Sequence, residues 1–198
     1  MLDNKKLKKY QAFTLIEMIV SLGVIMFVSV IFIANYRGAN RRTDLIMTAQ
    51  SLVSDLHAAQ NNSLGLVKYG SLVPAGGWGL SFDKVSGTYT IFADLNEPQT
   101  IGYLEMDPQS EADKALGSRE VSFSGEIQIG EIKIFNGTNE VTTDKLNITF
   151  LPPDPITNIF NATTKATGTA ATIELKEMGS DSSKKVRINF LGLIEVIE

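Results

Sequence analysis

The sequence predicts an α+β protein: a long N-terminal α-helix, with a transmembrane half and an amphipathic half, packed on a C-terminal antiparallel β-sheet head. Three observations carry this. Residues 12–34 contain a single charge, Glu17. Beyond them, apolar residues recur at three- and four-residue steps, and no proline interrupts the chain from Phe13 to Leu72. From about Gly65 the texture changes to short alternating segments rich in β-branched and aromatic residues, separated by turn residues.

Composition narrows the chemistry before any motif is read. The chain has 198 residues, 43% hydrophobic and 20% charged, enough to bury a core. Its net charge of −4 conceals an asymmetry, because residues 1–12 carry four Lys and one Asp and leave −7 from Phe13 onward. An acidic body of that kind disfavours non-specific nucleic-acid binding. The absence of Cys removes disulfides, thiolate nucleophiles and zinc fingers, and a single histidine, His57, leaves no material for a His-rich metal site. Phosphate loops, serine elbows and paired catalytic carboxylates are missing too. No enzyme and no resident cofactor are expected.

The first element is the basic leader, residues 1–12. The second, residues 13–36, is long enough to cross a bilayer, since about 20 apolar residues span the hydrocarbon core. It is too long for the apolar core of an ordinary secretory signal. Lysines 5, 6, 8 and 9 precede it and Arg37, Arg41 and Arg42 follow it, so flanking charge alone does not set the orientation. Glu17 stands out. A carboxylate in the middle of a lipid-facing helix costs roughly 2.5–3.5 kcal/mol, less near the end, and its presence points to a positive partner supplied by an assembly.

The stretch KKYQAFTLIEMIVSLGVI resembles the start of a type IV prepilin or pseudopilin: basic leader, small residue, then Phe-Thr-Leu-Ile-Glu opening an apolar helix. The resemblance implies cleavage between Ala12 and Phe13 by a prepilin peptidase and N-methylation of Phe13. It also implies partnership with other pilin or pseudopilin subunits and an inner-membrane assembly platform. The chain would sit in the bacterial inner membrane with its N-terminus in the cytoplasm, then enter a pilus or pseudopilus. The family usually has Gly before the cut, where this chain has Ala12. Cleavage would free an amine on Phe13, four residues from Glu17 and on the same helix face. A neighbour's amine would neutralise the carboxylate in a dry environment, which favours assembly and sets register.

The third element is the amphipathic half of the helix, residues 37–64. Leu45, Ile46, Ala49, Leu52, Val53, Leu56 and Ala59 form its stripe, and the helix is expected to end near Asn62. His57, beside that stripe, reads as an ordinary helix residue.

The fourth element is the head, residues 65–198. Strands are expected at 78–85, 87–94, 119–124, 126–135, 145–151, 172–177, 184–191 and 193–197. Turns are expected at Ser86-Gly87, Asn136-Gly137, residues 181–183 and Gly192. Residues 157–172, rich in Thr, Asn and Ala, read as a surface excursion. The tryptophan-bearing strand, Phe92-x-Asp94-x-Asn96, the Ile-Thr-Phe-x-Pro strand at 148–152 and the final hairpin around a glycine resemble minor pilins of the GspH/FimT type. Relatives that take up DNA carry arginines after that glycine, whereas this chain has Leu193 and Ile194. Lys184, Lys185 and Arg187 are the candidate DNA contacts. Asp94, Asn96 and Glu97 are oxygen ligands that would suit Ca²⁺, though a turn held by its own side chains uses the same residues. A second acidic group, Glu105, Asp107, Glu111 and Asp113, reads as an exposed loop.

The leading reading is a structural one, a minor pilin or pseudopilin subunit of a type II secretion pseudopilus or type IV pilus. The alternatives are a DNA-binding or adhesive minor pilin of a competence pilus, and an uncleaved, signal-anchored periplasmic protein.

Overall fold

A computed structural model of the chain describes residues 13–94, 119–123, 126–152, 156–162, 164 and 166–197. A single helix, α1, spans Leu15–Leu64. It is followed by β1 Gly77–Asp83, β2 Thr88–Asp94, β3 Arg119–Ser122, β4 Ile127–Asn136, β5 Asn139–Thr143 and β6 Lys145–Leu151. Then come β7 Ile156–Asn161, β8 Thr167–Gly168, β9 Ala170–Glu177, β10 Ser183–Asn189 and β11 Ile194–Ile197. The chain divides into two compact units, Met1–Asn40 and Arg41–Glu198.

In the second unit the strands form two antiparallel sheets, ordered β3-β2-β1-β6-β7-β8 and β11-β10-β9-β4-β5. Leu45, Ala49, Leu52, Leu56 and Ala59 of α1 are buried together with inward residues of both sheets in one core. Spacings of four and three put those five on one helix face. Alternation does the same for the strands: Leu80 and Phe82, Leu146 and Ile148, Ile132 and Ile134, Ile173 and Leu175, and Val186 and Ile188 all belong to the core. Ile46, the one large residue of the expected stripe that stays outside, is 37% exposed.

The helix runs two residues past its expected end and stops in a Schellman motif. Val67 N–H donates to the Asn62 carbonyl at 2.9 Å and Leu66 N–H to Ser63 at 3.1 Å. Leu66 takes the left-handed position, with φ 50°, a conformation usually left to Gly. Ser63 then ties the helix end to the first sheet, its hydroxyl accepting Trp78 N–H at 2.7 Å.

A polar latch fixes the middle of the same helix segment. The Tyr89 hydroxyl donates to Asp55 Oδ2 at 2.6 Å. Arg119 Nη2 donates to both Asp55 oxygens at 3.0 and 3.1 Å. Burial pushes the Tyr89 phenol well above its usual value, the Asp55 hydrogen bond and charge push it the same way, and Arg119 opposes them. Folding stability gained from a raised pKa is complete below the unfolded pKa, about 10 for tyrosine, and is lost as pH rises toward the folded one. Stability is therefore expected to fall above about pH 10. Tyr89→Phe should flatten that fall, as read from urea midpoints of the full chain in detergent across the alkaline range.

Two departures from the sequence reading concern strands. β7, β8 and the start of β9 occupy the stretch read as a surface excursion. Its polar residues hid it: β7 pairs with β6, and both strands bury residues on both faces, including Asn147, Thr149, Thr157 and Asn161. A strand buried on two faces loses the alternation that marks a half-exposed one. β5, the return strand after the Asn136-Gly137 turn, is exposed along most of its length, so it has little apolar pattern to read.

Candidate functional site

Residues 15–33 of α1 have a mean hydropathy of 2.6, and none of that stretch is buried within the chain. Leu15 is 78% exposed, Phe27 70% and Phe32 75%. A helix apolar on every face needs lipid or other helices around it. Its two serines do not break this character, because Ser21 Oγ donates to the Glu17 carbonyl at 2.6 Å and Ser29 Oγ to the Ile25 carbonyl at 2.8 Å.

The helix begins with a capping box. Glu17 N–H donates to Thr14 Oγ1 at 3.3 Å, and Glu17 Oε2 accepts from Thr14 N–H at 3.4 Å and from the Thr14 hydroxyl at 3.5 Å. Thr at the N-cap and Glu three residues on satisfy each other's orphan groups. A carboxylate is also favoured at the positive end of the helix dipole. Glu17 thus folds back toward Thr14 and Phe13, and Phe13 itself is 77% exposed. The sequence marked Glu17 as awaiting a cation, and the structure adds a second task, starting its own helix. The Thr-x-x-Glu spacing was the available signal for it.

Residues 7–33 match the family described as the prokaryotic N-terminal methylation motif. The chain therefore carries a prepilin-type N-terminal methylation motif over those residues. No curated protein and no solved structure matches it. The prepilin motif ends at Ile33, so the head must be read from its own residues.

In this prepilin-type chain the remaining candidate residues fall as follows. Ala12, Asn96, Glu97, Glu105, Asp107, Glu111 and Asp113 lie outside the described residues. Asp94 closes β2, is buried, and sits against Gly76, whose N–H donates to the Asp94 carbonyl at 3.1 Å. Among the described residues no group of three or more acidic or His side chains is placed to hold a metal. His57 is exposed, with Nδ1 3.4 Å from Gln60 Oε1.

The three candidate DNA contacts lie on β10 but do not share a face. Lys184 falls in phase with the core residues Val186 and Ile188, while Lys185 and Arg187 point to the opposite side. Lys185 stands in register with Glu174, and Arg187 with Glu195. Further along that row, Lys133 lies 2.7 Å from Glu140 and 3.4 Å from Glu131. Alternating signs of this kind give no continuous positive surface for phosphates to follow.

Two features of the head escaped the sequence reading. One is the Asp55–Tyr89–Arg119 latch. The other is a bulge in β4, where Gly130 and Glu131 interrupt the register between Ile129 and Ile132. Glu174 fills the bulge, its Oε2 accepting Glu131 N–H at 3.3 Å.

Proposed function

We propose that this protein is a minor pilin or pseudopilin subunit, cleaved between Ala12 and Phe13, methylated on Phe13 and assembled through its apolar helix into a filament. The observation that carries this is the placement of Glu17 at the start of an apolar stretch of α1, residues 15–33, none of which is buried within the chain. Within its own chain the carboxylate accepts from the Thr14 N–H and hydroxyl. In a packed bundle of such helices, the amine freed on a neighbouring subunit offers a full charge within a dry environment, where an unpaired carboxylate is strongly unfavourable.

Prepilin peptidase, sibling subunits and an inner-membrane assembly platform are the partners of this reading. The leader lysines hold the N-terminus in the cytoplasm until cleavage, and the head lies on the other side of the membrane. The minor role rests on the head. The tryptophan strand β1 and the closing hairpin around Gly192 are the features by which its sequence resembles subunits of the GspH/FimT type.

Fractionation of cells into membranes and sheared filaments tests this reading. The chain is expected in the filament fraction of cells that have the peptidase, and only in membranes of cells lacking it. Confinement to membranes in both strains overturns the proposal.

A further inference from the structure

Helix α1 stops at Thr14, and the residues before it do not explain why. Residues 5–13, KKLKKYQAF, contain no Gly, Pro, Ser, Thr, Asn or Asp, the residues that usually mark a helix boundary. Lys, Leu, Gln and Ala are good helix formers, so local preference alone would let the helix run back through the leader. Thr14 is the one N-capping residue between Asn4 and Ser21.

The capping box blocks that extension at two hydrogen bonds. A helix continued toward the leader would send the Glu17 N–H to the Phe13 carbonyl. That N–H goes to Thr14 instead, 3.1 Å from its carbonyl oxygen and 3.3 Å from Oγ1. The same extension would send the Thr14 N–H to the Tyr10 carbonyl. It points to Glu17 Oε2 instead, at 3.4 Å. Thr14's own carbonyl accepts the first helical bond, from Met18 N–H at 3.2 Å. Phe13 and Thr14 therefore stand outside the helix.

We infer that Thr14 is a positioning residue for leader removal, its cap keeping the peptide bond between Ala12 and Phe13 out of the helix and open to a peptidase. The inference rests on the pilin reading, which puts the cut at that bond. In the hydrolysis a water adds its hydroxyl to the Ala12 carbonyl carbon, the C–N bond breaks, and the remaining proton goes to the Phe13 nitrogen. Inside a helix the Ala12 carbonyl would be bonded to the Ile16 N–H, and the Phe13 N–H to the Lys9 carbonyl. Neither group could then pair with an enzyme, and the adjoining turns would crowd the carbon under attack. Backbone free of such bonds is where proteases cut. Thr14 thus acts through the conformation of the bond, without touching the reacting atoms.

Substitutions that separate capping from shape test this. Val has nearly the shape of Thr but cannot cap, whereas Gly has no side chain and caps almost as well. Full-length precursor in detergent is incubated with membranes containing the peptidase, and initial rates give KM and kcat. Thr14→Val is expected to raise KM roughly two- to fivefold with kcat unchanged, because only chains with the bond outside the helix can bind. Thr14→Ser and Thr14→Gly are expected to keep the parent KM. Amide exchange of the Phe13 N–H in uncut precursor is the second measure, expected to be slower in Thr14→Val than in the other three chains. A Thr14→Val precursor with the parent KM overturns the inference. So does a Thr14→Gly precursor as impaired as Thr14→Val, or equal Phe13 exchange in all four chains. A parent precursor that the peptidase never cuts overturns the pilin reading itself, and this inference with it.

Discussion

Glu17→Ala is expected to insert into membranes as well as the parent chain and to fall at least tenfold in filaments. Insertion should not suffer, because removing a carboxylate from an apolar helix relieves a cost. Assembly should, because a neighbour's amine would then be buried without its partner. Breaking a buried pair by removing one member costs about 3–5 kcal/mol, and half of the lower figure already shifts an equilibrium about tenfold. The capping box complicates the reading of alanine, which removes the charge together with the carboxylate half of the box, although the backbone N–H at 17 still donates to Thr14. Glu17→Gln separates them: its amide oxygen still accepts from Thr14 but carries no charge. Quantifying each variant in membrane and filament fractions is expected to show both depleted from filaments. Wild-type levels of the glutamine variant would mean that Glu17 serves only its own helix.

The second large effect lies where helix and sheet join. Gly77 has φ 84°, and a Cβ there would lie 1.8 Å from the Phe150 carbonyl oxygen and 3.1 Å from Ser63 Oγ. Both obstacles matter, since one is backbone of the neighbouring strand and the other accepts the Trp78 N–H. Gly77→Ala therefore has to move β1 away from β6 or give up the Ser63 bond. We expect a loss on the order of 3 kcal/mol, from left-handed strain plus overpacking. Gly70 supplies the control. It has φ 60° with open space where a Cβ would go, so Gly70→Ala should cost only the strain, about 1 kcal/mol. Urea midpoints of the two full-length variants in detergent measure the difference. Equal losses would show that the close approach at Gly77 carries no energy of its own.

The sequence made the N-terminus legible because its signals are local. The apolar run and the lone acid can be read without knowing what lies far along the chain, whereas the Thr-x-x-Glu spacing that caps the helix went unread. The amphipathic stripe from Leu45 to Ala59 was legible for the same reason, and so were β1, β2, β6 and the closing hairpin, whose alternation or turn residues announce them. β7 was not, because it buries Thr157 and Asn161 where a reader expects apolar residues. The latch was not legible either: Asp55 meets Tyr89 and Arg119 across 34 and 64 residues, and nothing at any one of the three positions signals the others. Lys184, Lys185 and Arg187 form a basic cluster on paper, yet strand geometry sends the middle residue to the opposite face from Lys184 and sets Glu174 and Glu195 beside the outward pair.

Everything proposed for Glu17 requires a free amine on Phe13, and the intact mass of the chain recovered from membranes and filaments reports directly on whether one exists. The account expects a species that has lost residues 1–12 and gained one methyl group. A chain that keeps Met1 through Ala12 in every fraction would contradict it.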